Sequence, residues 1–268
     1  MSGRRVLVTG AGSGLGRELA IVYAARGDRV AVVDQYADRA EETVRLLAGG
    51  GHLALVADVG SDAAMAALRA QVQGAWGGLD VLVNNAGIAC GGECAHTTMA
   101  EWQRALNINL MGVVRGVREF VPMMEAQGRG LVVNVASFAG LAGAPGLGAY
   151  GVSKAGVVAL SEGLRGELLP KGIGVSVLCP SFFRTRLLES FQGARDAPLR
   201  HIAEKLMDKS PIDAATVARY TVEQSERGRF LLLPHRDTRL RWWLKRWLPG
   251  VYFREVMKYV ARNARRVG

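Results

Sequence analysis

With 268 residues, 49% of them hydrophobic, the chain carries enough apolar mass for a large core, and it reads as one α/β domain over residues 1–234 followed by a tail at 235–268. Its three cysteines, Cys90, Cys94 and Cys179, are an odd number without paired zinc-ligand spacing, which speaks against a disulfide framework or a structural metal and fits a reducing cytoplasm. The net charge of +10 is uneven: ten Lys and Arg against two carboxylates from His235 onward leave +8 there and +2 in everything before.

Met1 to Arg5 run straight into an apolar strand, so no signal peptide is expected. From there apolar runs alternate with helical patterns. Strands are predicted at Arg4 to Thr9, Arg29 to Asp34, Leu53 to Asp58, Leu79 to Asn84, Gly130 to Ala136, Val175 to Cys179 and Phe230 to Leu233. Helical spacing occupies Gly14 to Arg26, Asp38 to Leu47 and Asp62 to Trp76, and Thr98-Met-Ala-Glu101 spells a capping box that opens another helix. Such alternation predicts a Rossmann-type, doubly wound, mainly parallel sheet with helices on both faces. The longest uncharged stretch, Gly130 to Ser153, has the length of a membrane span but not its content. Gly140, Gly143, Pro145, Gly146 and Gly148 interrupt any continuous helix, so strand, loop and helix start are expected there.

Thr9-Gly-Ala-Gly-Ser-Gly-Leu-Gly16 closes the first strand and opens the first helix. Gly10 suits the turn, Gly14 lets backbone approach a pyrophosphate and Gly16 permits close packing, while the helix N-terminus favours negative charge; Ser13 and Leu15 lie in the same loop. The spacing is Gly-x-x-x-Gly-x-Gly, and alone it also fits a merely flexible turn. Asp34 ends the second strand, where a carboxylate accepts hydrogen bonds from adenosine ribose hydroxyls and repels a 2′-phosphate. Its neighbour Gln35, like Ser13, adds no positive charge, so NAD is expected over NADP.

Tyr150 and Lys154, in Tyr-Gly-Val-Ser-Lys, share a helix face, with Ser137 thirteen residues upstream. A free phenol titrates near ~10, and an ammonium one turn away favours its ionised form. Taken singly, the tyrosine also fits packing, the serine a turn, and Asn109 a helix brace. Together with Asp58-Val59, Asn84-Asn85-Ala86-Gly87, Asn109 and Pro180 to Thr185, in this order over about residues 4 to 234, they make the chain resemble the short-chain dehydrogenase/reductase family in its compact single-domain form. The resemblance implies a sheet of about seven strands and a homodimer or homotetramer. It implies that Asp58 and Val59 contact adenine, that Asn85, Ala86 and Gly87 border the adenosine ribose, and that Pro180, Phe183 and Thr185 lie in the segment holding the nicotinamide carboxamide. Ser181 departs from the family's glycine after that proline.

The expected reaction is NAD-dependent interconversion of a secondary alcohol and a ketone. Tyr150 would be the acid/base and Ser137 would hold the substrate oxygen, while Lys154 lowers the phenol and bonds the nicotinamide ribose and Asn109 holds a relay water. His52, His96, His201 and His235 show no metal-binding spacing, and no metal is assigned.

Residues 186–210 stand where the family places its substrate lid. Leu187, Leu188, Phe191, Leu199, Ile202 and Leu206, with Phe182 and Phe183, either line an apolar pocket or pack the lid, which leans toward a lipid-like or steroid-like substrate. In the tail, Leu240, Trp243, Leu244, Trp247 and Leu248 share a helical face opposite Arg239, Arg241, Lys245 and Arg246. A second pattern sets Tyr252, Val256, Tyr259 and Val260 opposite Arg254, Lys258, Arg262 and Arg265. Two basic amphipathic helices fit either an anionic membrane surface, giving a cytoplasmic protein peripheral to the membrane, or packing on protein. No nucleic-acid motif appears. The rival functions are a catalytically silent NAD-binding or membrane scaffold and a dehydratase or epimerase of the same fold.

Overall fold

The computed structural model describes residues 3–190 and 197–264. Seven parallel strands form one sheet in the order β3-β2-β1-β4-β5-β6-β7. They are β1 (Arg5–Thr9), β2 (Arg29–Asp34), β3 (Leu53–Val56), β4 (Val81–Asn84), β5 (Gly130–Val135), β6 (Ile173–Leu178) and β7 (Leu231–Leu232). The helices are α1 (Gly14–Ala25), α2 (Ala37–Arg45), α3 (Asp62–Trp76), α4 (Met99–Leu106), α5 (Gly112–Gln127), α6 (Phe138–Ala142), α7 (Gly148–Leu168), α8 (Ala197–Asp208), α9 (Ala214–Glu226), α10 (Arg236–Trp247) and α11 (Pro249–Ala264).

The strands read as continuous apolar runs because helices cover both faces. Successive residues of β1 point to opposite sides: Val6 and Val8 join Leu19 and Tyr23 of α1 and Val217 of α9, while Leu7 joins Met65 and Leu68 of α3 and Phe120 of α5. The predicted β3 stops two residues early because Ala57 bonds back to Asp34 and Asp58 closes a turn onto the Gly60 amide. The capping box is present in full, with Thr98 and Glu101 each bonding the other's backbone. The uncharged stretch resolves into β5, α6 and the start of α7; among the described residues no helix is long and apolar enough to cross a membrane.

Strand order reverses between β1 and β4, which opens a crevice at the carboxyl ends of these strands. Thr9, Asp34, Asn84, Val135 and Leu178 end five strands at that edge, so the loops that follow converge there. The tail folds as α10 and α11, and α10 rests on α6, with Trp242 in a cluster that includes Phe138, Leu141 and Ala142.

Candidate active site

Gly10 and Gly14 have φ of 62° and 53°, the left-handed conformation that glycine adopts without penalty. A Cβ on Gly16 would stand 2.2 Å from the Gly10 carbonyl oxygen, so the start of α1 closes against the loop only because this residue is glycine. The result is a backbone cradle at a helix N-terminus, a shape and polarity that fit a pyrophosphate. Ser13 precedes the helix in extended conformation, and the Leu15 side chain is core, leaving only its backbone for the cradle.

The Asp34 carboxylate accepts hydrogen bonds from the Gly12 amide at 2.9 Å and the Tyr36 amide at 3.2 Å. It therefore braces the glycine loop, and its oxygens retain further acceptor capacity. Gln35 is exposed beside it. Arg39 is a neighbour that sequence spacing did not single out. Its guanidinium lies over the Tyr36 ring at 4.7 Å and reaches Glu189 at 3.6 Å.

On the other side of the loop, the Thr9 hydroxyl accepts from the Asn85 and Ala86 amides at 3.0 and 3.1 Å, and Asn85 Nδ2 donates to the Thr9 carbonyl at 2.8 Å. The β4 loop is thus stitched to the glycine loop. Val59 is buried and Asp58 is exposed, with one carboxylate oxygen held by the Gly60 amide at 2.7 Å.

Asn109 sits in a π-helical segment, Asn107–Met111, between α4 and α5. Such insertions are frequent at functional sites. Its amide is fully buried and pairs both ways with Ile88, accepting from the amide at 2.8 Å and donating to the carbonyl at 3.0 Å; Nδ2 also reaches Ser153 Oγ at 3.1 Å. Asn109 therefore fixes the backbone after Gly87. A Cβ at Gly87 would stand 3.0 Å from Asn109 Oδ1 and 3.3 Å from Lys154 Nζ, so these two groups flank one backbone point.

Tyr150 and Lys154 lie one turn apart on α7, and Ser137 is close enough for its hydroxyl to favour the ionised Tyr150 phenol. Ser137 caps α6, accepting from the Ala139 amide at 3.2 Å, and Lys154 Nζ donates to the Val135 carbonyl at 2.9 Å. Burial raises the phenol above its ordinary range, and the Ser137 hydroxyl opposes that rise. The expected lowering by Lys154 is not seen here. Its own ammonium is destabilised by burial, which pulls it from 10.5 to about 8, and it is turned toward β5.

The Pro180 carbonyl accepts from the Phe138 amide at 2.8 Å, so the segment after β6 is fastened beside Ser137. Phe183 packs into the core with α1, while Thr185 comes within contact of the position a Gly14 side chain would take. At the substituted Ser181, the amide donates to His235 Nδ1 at 3.2 Å. His235 is 4% exposed, its Nε2 is buried without a hydrogen-bond partner among the described residues, and burial lowers its pKa. No local spacing in the sequence ties this histidine to a loop 54 residues away.

In the lid, Leu188, Ala203 and Met207 cluster with Phe182, whereas Ile202 is exposed and Leu187 and Leu206 are half-buried. Phe191 and Arg265, and the side chains of Leu199 and Arg262, lie outside what is described. Among the described residues no group of histidine, cysteine and carboxylate side chains is arranged to hold a metal, and the three cysteines form no disulfide.

Residues 4–196 match the family model described as short chain dehydrogenase. The chain is 35% identical over 212 residues to an uncharacterized oxidoreductase of Thermotoga maritima, covering 78% of this chain and 83% of that one. It is 37% identical over 192 residues to the 2-(R)-hydroxypropyl-CoM dehydrogenase of Xanthobacter autotrophicus, covering 69% and 77%. Among solved structures, a short chain dehydrogenase/reductase from Burkholderia phymatum in complex with NAD superposes with a TM-score of 0.87 at 31% identity, covering 91% of this chain and 93% of that one.

Proposed function

The chain belongs to the short-chain dehydrogenase/reductase family, an oxidoreductase family that works with a nicotinamide cofactor, and on that footing we propose that it interconverts a secondary alcohol and its ketone with NAD. The observation that carries this reading is the convergence of Tyr150 and Ser137, with Lys154 one turn away beside Gly87.

NAD, when bound, supplies the hydride acceptor or donor. The chain's own residues supply the rest. In oxidation, Tyr150 Oη takes the hydroxyl proton of the alcohol; in reduction it returns one to the ketone oxygen. Ser137 Oγ donates to the same substrate oxygen, an electrostatic aid placed before reaction begins. Lys154 Nζ, which donates to the Val135 carbonyl, would hold the nicotinamide ribose, and its charge there would favour phenolate. Asn109, by fixing Gly87 and Ile88, holds the floor on which that ribose rests and leads the proton on to a water. The glycine cradle and Asp34 support NAD over NADP, since Asp34 offers two oxygens to ribose hydroxyls and a like charge to a phosphate. Asp58 and Val59 would hold the adenine, and the Pro180 to Thr185 segment would hold the nicotinamide carboxamide.

The apolar cluster of Phe182, Leu188, Ala203 and Met207, in the segment after β6, supports a hydrophobic substrate. The Xanthobacter relative is named for dehydrogenation of a 2-hydroxypropyl group, itself a secondary alcohol, which supports CH–OH chemistry. A catalytic unit at 1–234, a homodimer or homotetramer, and a cytoplasmic place at the membrane face complete the reading.

The test is a screen of NADH fluorescence against steroids, fatty alcohols, acyl-chain ketones and small polar alcohols. Turnover confined to apolar secondary alcohols or ketones is expected. NADH binding without turnover of any of them would favour the silent scaffold, and dehydration or epimerisation without net NADH change would favour the same-fold alternative.

A further inference from the structure

Apolar stripes on terminal helices are usually buried against the parent domain. Here the arrangement on α10 is reversed. Leu240, Trp243 and Trp247 are 68%, 51% and 64% exposed. Two basic side chains of α10 bond back to the domain: Arg239 Nε donates to the Leu233 carbonyl at 2.8 Å, and the half-buried Lys245 donates through Nζ to the Leu141 carbonyl. Trp242 and Tyr252 also face the domain, and Tyr252 Oη donates to the Ala142 carbonyl at 3.0 Å. Beyond the corner, Leu248, Phe253, Met257 and Tyr259 extend the exposed apolar surface, and Trp247, Leu248, Val251 and Arg254 line a hollow at the corner itself.

Basic residues border this surface. Arg236, Arg241, Arg246, Arg254 and Lys258 are all exposed. The only carboxylates in the tail, Asp237 and Glu255, are each engaged by a neighbouring cation, at 3.5 Å by Arg241 and at 2.7 Å by Lys258. A second copy seated on this face would bring two tails of +8 together. An anionic surface has the opposite sign, and tryptophans beside arginines suit the level of lipid headgroups.

We propose that the outward face of α10 and α11 is a docking surface for an anionic lipid bilayer. The inner face of the same hairpin grips Leu141 and Ala142, four and five residues past Ser137, so docking sets the substrate side of the domain against the membrane. Delivery of an apolar substrate from the lipid follows if the proposed function holds; the docking itself does not depend on it.

The experiment is co-sedimentation of the full chain with phosphatidylcholine vesicles, with and without phosphatidylglycerol, at two salt concentrations. Trp243→Ser/Trp247→Ser probes the apolar stripe and Arg241→Gln/Arg246→Gln the basic border, with NADH binding and circular dichroism as controls for folding. The wild type is expected to sediment with the anionic vesicles, and each double variant to bind them about tenfold or more weakly, with weaker binding again at high salt. NADH binding stays unchanged. Equal sedimentation of wild type and variants, or no wild-type binding to anionic vesicles, overturns the proposal. Conversion of an oligomer to a monomer by the tryptophan variant, read by light scattering without any vesicle effect, assigns the face to a second copy instead. Because NADH binding is read separately, loss of docking and loss of the dinucleotide reading are distinguishable.

Discussion

Lys154 is 4% exposed, and burial lowers its pKa from 10.5 to about 8, so its charge destabilises the folded state at neutral pH. Replacing it with methionine, Lys154→Met, removes that charge and keeps the chain length. At ~1.4 kcal/mol per pH unit, the depressed value corresponds to a penalty of about 3 kcal/mol when the lysine is protonated. The substitution also strips the Val135 carbonyl of its donor at 2.9 Å, a loss of about 1 kcal/mol. The variant should therefore be about 2 kcal/mol more stable than wild type at pH 7.

The sign with pH follows from linkage. Between about 8 and the unfolded value near 10.5 the unfolded chain binds more protons at this site, so wild-type stability from Lys154 rises with pH there. The advantage of the variant should shrink to roughly nothing by pH 10. Urea unfolding of both proteins at pH 7 and pH 10 measures it, with all other groups cancelling in the difference. A variant less stable than wild type at pH 7, or a difference that does not change with pH, would show that the buried ammonium is stabilised by partners and that the assigned cost is wrong.

Asp34→Ala should raise the KM for NAD by about tenfold or more, as expected for losing charge-assisted hydrogen bonds, and move the NADP to NAD ratio of kcat/KM toward NADP; an unchanged ratio would remove Asp34 from cofactor choice. Gly16→Ala would press a methyl group to 2.2 Å from the Gly10 carbonyl oxygen and 2.5 Å from Asn85 Nδ2. A loss of about 1 to 3 kcal/mol in thermal or urea unfolding, with weakened NADH binding, is expected, and wild-type stability would contradict the close packing. His235→Leu leaves the Ser181 amide without its acceptor, a loss of about 1 to 3 kcal/mol if the amide stays dry. Because burial depresses the folded-state pKa of His235, wild-type stability should fall as pH drops below the unfolded value near ~6.5, and the variant should lack that component; parallel acid unfolding of the two would refute it.

The sheet was legible because parallel strands buried on both faces leave long apolar runs, and Arg29–Asp34 was predicted to the residue. Strand ends were less so: β3 and β7 are shorter than the apolar runs that contain them, because apolar content does not encode where pairing stops. The candidate site was legible where its chemistry is local, as in the glycine loop and the Tyr150 to Lys154 turn. What stayed hidden is what depends on distant packing: the π-helical segment around Asn109, the bond from Asp34 to Gly12, the placement of Arg39, and His235 beneath Ser181. In the tail the helical periodicity was readable, but periodicity has no sign. Only the folded chain shows that Trp243 and Trp247 point away from the domain and Lys245 toward it.

The proposed proton transfer rests on a single oxygen atom, and Tyr150→Phe removes it while leaving the ring. NADH formation from an apolar secondary alcohol, measured beside NADH binding by fluorescence, is the direct test. The account predicts turnover reduced by about 10² to 10⁴ or more, with NADH affinity kept within a few-fold of wild type. Undiminished turnover in the phenylalanine variant would contradict it.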